Sequence, residues 1–122
     1  MATYRQAVTA QRELHLISGK VKDTITAKRL FDLRRKLDEA VDFVIERQRT
    51  NMEQTGVTYN EVGQWIYPDD NTRKEFDRMN TELLDSEMEV IPVNVKAESI
   101  PGLSVNDIAA LYGFVEITGS DE

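Results

Sequence analysis

From Thr24 to Asn51 the apolar residues Leu30, Leu33, Leu37, Ala40, Val41, Val44 and Ile45 recur at intervals of three and four, the period of one helix face. A helix over this stretch is on the order of 40 Å long at 1.5 Å per residue, so the rest of a 122-residue chain must be arranged along it. Lys22-Asp23-Thr24 supplies the polar group that starts it. Its outer face carries Lys28 with Asp32, Asp32 with Lys36, Arg34 with Asp38 and Arg35 with Glu39 at a spacing of four, pairs that support an exposed helix surface. Phe31 and Phe43 fall on opposite shoulders of the apolar stripe. They predict a wide buried arc with neighbours on more than one side.

The neighbours are legible on both sides of this spine. Ala7, Ala10, Leu14, Ile17 and Val21 give a first amphipathic helix that Gly19 ends or bends, and the first few residues are expected to fray. Between Thr55 and Pro68 the helical period stops. Val57-Thr58-Tyr59, a turn at Asn60-Glu61-Val62-Gly63 and Gln64-Trp65-Ile66-Tyr67 then read as a small β-hairpin. A third helix follows Pro68, capped from among Asp69, Asp70 and Thr72, with Thr72-x-x-Glu75 in the spacing of a capping box and Phe76, Met79, Leu83 and Leu84 on its buried side. Between Met88 and Ala97 the apolar residues Ile91, Val93, Val95 and Ala97 alternate with polar ones or proline. That period of two marks an extended strand, and Pro92 places it at a sheet edge because it has no N–H to donate. Finally Ser104 and Asp107 form a cap pair inside the hydrophobic staple of Leu103 and Ile108, opening a helix over Val105 to Tyr112 that Gly113 closes.

These elements predict an α+β, mainly helical protein: a long central helix packed against two or three shorter helices, with a small β-hairpin and one edge strand. Residues 1–118 are expected to form one domain and 119–122, Gly-Ser-Asp-Glu, a flexible tail. No stretch approaches the ~20 apolar residues of a membrane span. The first twenty residues are interrupted by Arg5, Arg12, Glu13 and His15, and the chain has no cysteine. Together these point to a cytoplasmic protein without disulfides.

Charge is sorted along the chain. Residues 1–50 hold 11 of the 15 Lys and Arg but 7 of the 22 Asp and Glu, a net +4, and residues 51–122 carry −11. Such asymmetry reflects pairing of the two halves or a charged partner. A net charge of −7 repels phosphate, and the basic group Lys28, Arg29, Arg34, Arg35 and Lys36 is interleaved with Asp32, Asp38, Glu39 and Asp42. Nucleic acid is therefore not the expected partner.

Reaction chemistry finds little to build on. His15, the one histidine, lies between Leu14 and Leu16 off the main stripe of its helix, where a surface position outweighs a ligand or base. One His and no Cys make a zinc site improbable. Asp69-Asp70-Asn71 lacks the later Gly and Glu of a calcium loop and suits a helix start instead. Gly56 and Gly63 have no Lys-Ser or Lys-Thr beside them to cradle phosphate. No catalytic, metal-binding or cofactor-binding residue is assigned.

The order of a short first helix, the restart Ile25-Thr26-Ala27-Lys28-Arg29-Leu30, a long charged helix, a turn-rich centre and the run from Glu87-Met88-Glu89-Val90 to Leu103-Ser104-Val105-Asn106-Asp107-Ile108 resembles a group of small bacteriophage and prophage proteins of unassigned function. The resemblance covers most of the chain and rests on helix order and apolar spacing. It implies a nonenzymatic phage-type accessory protein that acts by protein–protein contact with a host or phage partner, or with a second copy of itself. The alternative is an acidic inhibitor whose carboxylates occupy the nucleic-acid site of a host enzyme. Tyr59, Trp65 and Tyr67 on the hairpin and Glu75, Glu82 and Asp85 on the third helix are the candidate partner-binding residues.

Overall fold

One helix of 32 residues organises the molecule. In the computed structural model, which describes residues 2–118, the elements run β1 (Ala2–Thr3), α1 (Tyr4–Ile17), α2 (Thr24–Thr55), β2 (Thr58–Tyr59), β3 (Trp65–Ile66), α3 (Asp70–Asp85), β4 (Glu87–Met88), β5 (Val93–Lys96), α4 (Val105–Leu111) and β6 (Val115–Thr118). Single 3-10 turns lie at Ser18–Lys20 and Ala97–Ser99. The class is α+β and mainly helical, with three small two-stranded sheets. The tail expected at 119–122 lies outside the described residues.

The spine, α2, starts where Asp23 Oδ2 accepts a hydrogen bond from the Thr26 N–H at 3.0 Å. It continues one turn past the expected end, to Gly56, whose φ of +81° closes the helix in the left-handed conformation while its N–H donates to the Met52 carbonyl. The residues it buries are Thr26, Leu30, Leu33, Leu37, Ala40, Val44 and Asn51. Their steps of four, three, four, three, four and seven keep a strict 3.5-residue repeat, which makes a narrow seam. The expected wide arc is thus corrected: Phe31 is 57% exposed, Phe43 49% and Ile45 48%, because the neighbours line up along one side of α2. Of the four expected charge pairs, Arg34 with Asp38 approaches to 4.0 Å.

Against the first half of this seam lies α1, whose Ala7 and Ala10 are fully buried beside Leu14 and Ile17. Two alanines let the backbones approach closely, so leucines of α2 fill the space between them. Ala2 and Thr3, among the residues expected to fray, are held in place. Ala2 is buried, β1 pairs antiparallel with β4 (Ala2 opposite Met88, Thr3 opposite Glu87), and Thr3 caps α1 in a reciprocal box with Gln6. The second half of α2 meets α3, where Val44, Val57, Phe76 and Leu83 are buried. The cap of α3 is Asp69, whose Oδ1 accepts from the Thr72 N–H at 2.7 Å. The Thr72–Glu75 box does not form, because an Asp three residues ahead already holds that donor.

The expected single strand from Met88 to Ala97 is two strands with different partners. β4 belongs to β1, and after Val90-Ile91-Pro92 the chain turns to pair as β5, parallel to β6, with Val93 opposite Val115 and Val95 opposite Ile117. Pro92 cannot continue the first ladder, and a parallel partner requires a crossover, here the 3-10 turn and α4. The cap of α4 is as expected: Ser104 Oγ accepts from the Asp107 N–H and Asp107 Oδ2 from the Ser104 N–H. Leu111, Phe114 and Val115 then enter the main core with Val95 and Ile100.

One buried acid sits in this core. Glu13 of α1 is 9% exposed, faces Asp107 of α4, and has its Oε2 without a partner. Burial first, then the neighbouring Asp107 carboxylate, raises the Glu13 pKa above its ordinary value, whereas the backbone N–H of Ser104 lowers that of Asp107.

Two predictions follow from this packing. Leu37→Ala should cost ~2–5 kcal/mol in denaturant unfolding while Phe31→Ala costs under about 1 kcal/mol, since only the first opens a cavity in the seam. Native Glu13 retains its proton at pH values where the unfolded carboxyl has lost it, so its contribution to stability declines as pH rises from 4.5 through the raised folded value. Glu13→Gln should therefore melt higher than the parent at neutral pH, with the gap closing near pH 4; equal melting temperatures at both pH values would contradict it.

Candidate partner-binding surface

The hairpin that carries Tyr59, Trp65 and Tyr67 is held by its turn. Asn60 Oδ1 accepts from the N–H groups of Val62 and Gln64 at 3.0 and 2.9 Å, and Gly63 takes φ of +81°. Thr58 pairs with Ile66 and Tyr59 with Trp65, so Tyr59 and Trp65 share a face. Their rings stack at 4.5 Å, and Trp65 meets the buried Phe76 of α3 edge-on at 4.8 Å. Tyr67 lies 6.1 Å from Phe76 with the Arg73 guanidinium over its ring at 5.7 Å. Trp65 and Tyr67 are half-buried in this aromatic stack. They fasten the hairpin to α3, and Tyr59 is the member that faces water.

The three acids expected to meet a partner are engaged within the chain. Arg78 lies between Glu75 and Glu82, donating to both Glu75 oxygens, from Nε at 3.2 Å, and from Nη1 to Glu82 Oε1 at 2.6 Å. These bonds push the Glu75 pKa down and that of Arg78 up. Asp85 accepts from Arg5 Nε of α1 at 3.1 Å.

Two clefts lie along α2, lined by residues that, Glu82 apart, were not singled out from the sequence as partner-binding. Tyr4 and Phe43 meet at a tilt of 35° with centroids 5.2 Å apart, and a cleft opens on each side of the pair. The first, about 720 Å³, runs between Leu33, Leu37 and Ala40 of α2 and the segment Glu87–Ile91. Met88 and Val90 are half-buried in it, while Ile91 is 81% exposed. The second, about 430 Å³, lies between α2 and α3 and is lined in part by Arg47, Asn51, Arg78 and Met79. At its floor the buried Asn51 donates Nδ2 to Asn80 Oδ1 at 3.1 Å and leaves its own Oδ1 without a partner. Ile91 falls in the alternating pattern of a strand, and Phe43 on the shoulder of a stripe expected to be wide, which hid them. The signal that could have found Phe43 is the strict 3.5-residue repeat, which has no place for residue 43.

His15 is exposed on α1, and Glu13 is enclosed at the contact of α1 with α4. Neither lines the two clefts. Among the described residues, no three His, Asp or Glu side chains gather as metal ligands, and no helix is long and apolar enough to cross a membrane. No family model, curated protein or solved structure matches the chain.

The hairpin stack gives a direct optical test, because Trp65 is the single tryptophan. Tyr59→Ala should shift its emission to longer wavelength with little loss of stability, whereas Phe76→Ala should cost ~3–5 kcal/mol and loosen the hairpin. An unchanged spectrum for Tyr59→Ala would show that Trp65 is covered by something other than Tyr59.

Proposed function

We propose that this chain is a nonenzymatic accessory protein of the phage type, acting in the cytoplasm of a host cell by binding another protein in the groove beside Tyr4 and Phe43. The observation that carries this is the apolar groove itself. Phe43 is half exposed and Ile91 almost wholly so at its margins, above a floor of buried leucines. Monomeric proteins rarely leave aromatic and aliphatic side chains grouped at a concave surface unless something binds there. The phage setting is supported by the order of helices and apolar spacings.

Phe43 and Ile91 lie outside the buried seam, so their substitution separates binding from folding. Affinity capture from a bacterial host lysate should recover a partner with the parent protein and lose it, by tenfold or more, with Phe43→Asp and with Ile91→Asp, the latter at unchanged melting temperature. A partner retained by both variants would place the binding surface elsewhere. A partner lost instead on Tyr59→Ala would place it on the hairpin.

A further inference from the structure

The rim of the groove suggests what kind of segment fits it. From α2 it receives Lys36 and Glu39, and from the facing segment Glu87 and Glu89. Three carboxylates thus stand against one ammonium, and none of the three carboxylates lies in an ion pair among the described residues. This contrasts with α3, where Arg73 pairs with Asp77 and Arg78 with Glu75 and Glu82. The apolar floor runs from Leu33 to Phe43 along α2, roughly 15 Å at 1.5 Å per residue, the length of about three helical turns.

We propose that the occupant of this groove is a cationic amphipathic helix of another protein, its apolar side on Phe43, Met88 and Ile91 and its Lys or Arg side chains on Glu39, Glu87 and Glu89. The inference rests on the groove being the binding site and adds the chemistry of what enters it. Apolar contacts along one face of a short helix supply most of the affinity in such grooves, while the charged rim selects the partner and speeds its approach. An acidic helix of the same shape would bring like charges together around a partly desolvated floor. The carboxylates of the rim are exposed, so they can meet a partner without first breaking internal bonds.

The test uses the full chain, labelled with ¹⁵N, and two synthetic amphipathic helical peptides of about three turns with the same leucine positions, one with Lys and one with Glu at every polar position. The Lys peptide should shift the amides of residues 36–43 and 87–91. Its affinity should fall several-fold between low salt and about 0.15 M ionic strength and about tenfold in the triple variant Glu39→Gln, Glu87→Gln, Glu89→Gln. Phe43→Asp should abolish the shifts at the groove. Equal binding of the Glu peptide to the same amides would overturn the charge assignment and leave the groove as a docking face. Lys-peptide shifts confined to α3 or the hairpin, or no shifts with either peptide, would overturn the proposal, while the capture experiment still decides independently whether the groove binds a natural partner. Shifts of the groove amides on raising protein concentration alone would assign it to a second copy and likewise overturn it.

Discussion

The contact of α1 with the first half of α2 is the constraint from which the rest of the structure descends. Leu30, Leu33 and Leu37 can be buried by a single helix only if that helix comes close, and Ala7 and Ala10, both fully buried, permit the approach. This placement leaves no room on the seam for Phe31, Phe43 or Ile45, which lie one position beyond Leu30 and on either side of Val44. Exposure of Phe43 is therefore a consequence of how the core closes. The same helix that stabilises the fold presents the ring that a partner can reach.

The polar pair at the far end of the seam has a complementary effect. Asn51 takes a position the repeat would give to an apolar residue, and its amide meets Asn80 of α3. Leucine there would bury more apolar surface, but it would tolerate slippage of α3 along α2. An amide that loses its one partner in a slipped register is left buried and unsatisfied, at about 1–3 kcal/mol, so the pair favours the observed alignment over its neighbours. That alignment sets where the chain leaves α3, and hence where β4 meets β1.

What the sequence discloses depends on whether the partner of a residue is near in the chain. The caps at Asp23 and Ser104, the turn at Asn60–Gly63 and the helical stripes involve residues a few positions apart, and all are legible from spacing. The pairing of β1 with β4 joins residues 2–3 to 87–88, and that of β5 with β6 is parallel across a helix. Two or four residues carry too little pattern to announce a distant partner. The candidate residues divide in the same way. Trp65 and Tyr67 are aromatic for a nearby structural reason, the burial of Phe76, and Glu75 and Glu82 for a local one, Arg78 between them. The charge asymmetry between halves, which suggested internal pairing or a charged partner, is bridged among the described residues at two places, Arg5–Asp85 and Lys20–Asp107. Most of the acidic excess consequently faces water, and part of it lines the groove.

The wall of that groove is restrained at both ends. Glu87 and Met88 are paired with β1, and five residues after Met88, at Val93, the chain enters the parallel pairing with β6, where Arg29 of α2 also donates to the Asn94 carbonyl at 2.9 Å. Between these anchors Glu89, Val90, Ile91 and Pro92 span a short fixed distance, and the proline ring limits the backbone further. A segment held in this way has little conformational freedom left to lose when a ligand settles against it, so more of the contact energy appears as affinity. The exposed position of Ile91 thus differs in kind from that of an apolar residue on a loose loop: it is exposed on a wall that is already in place.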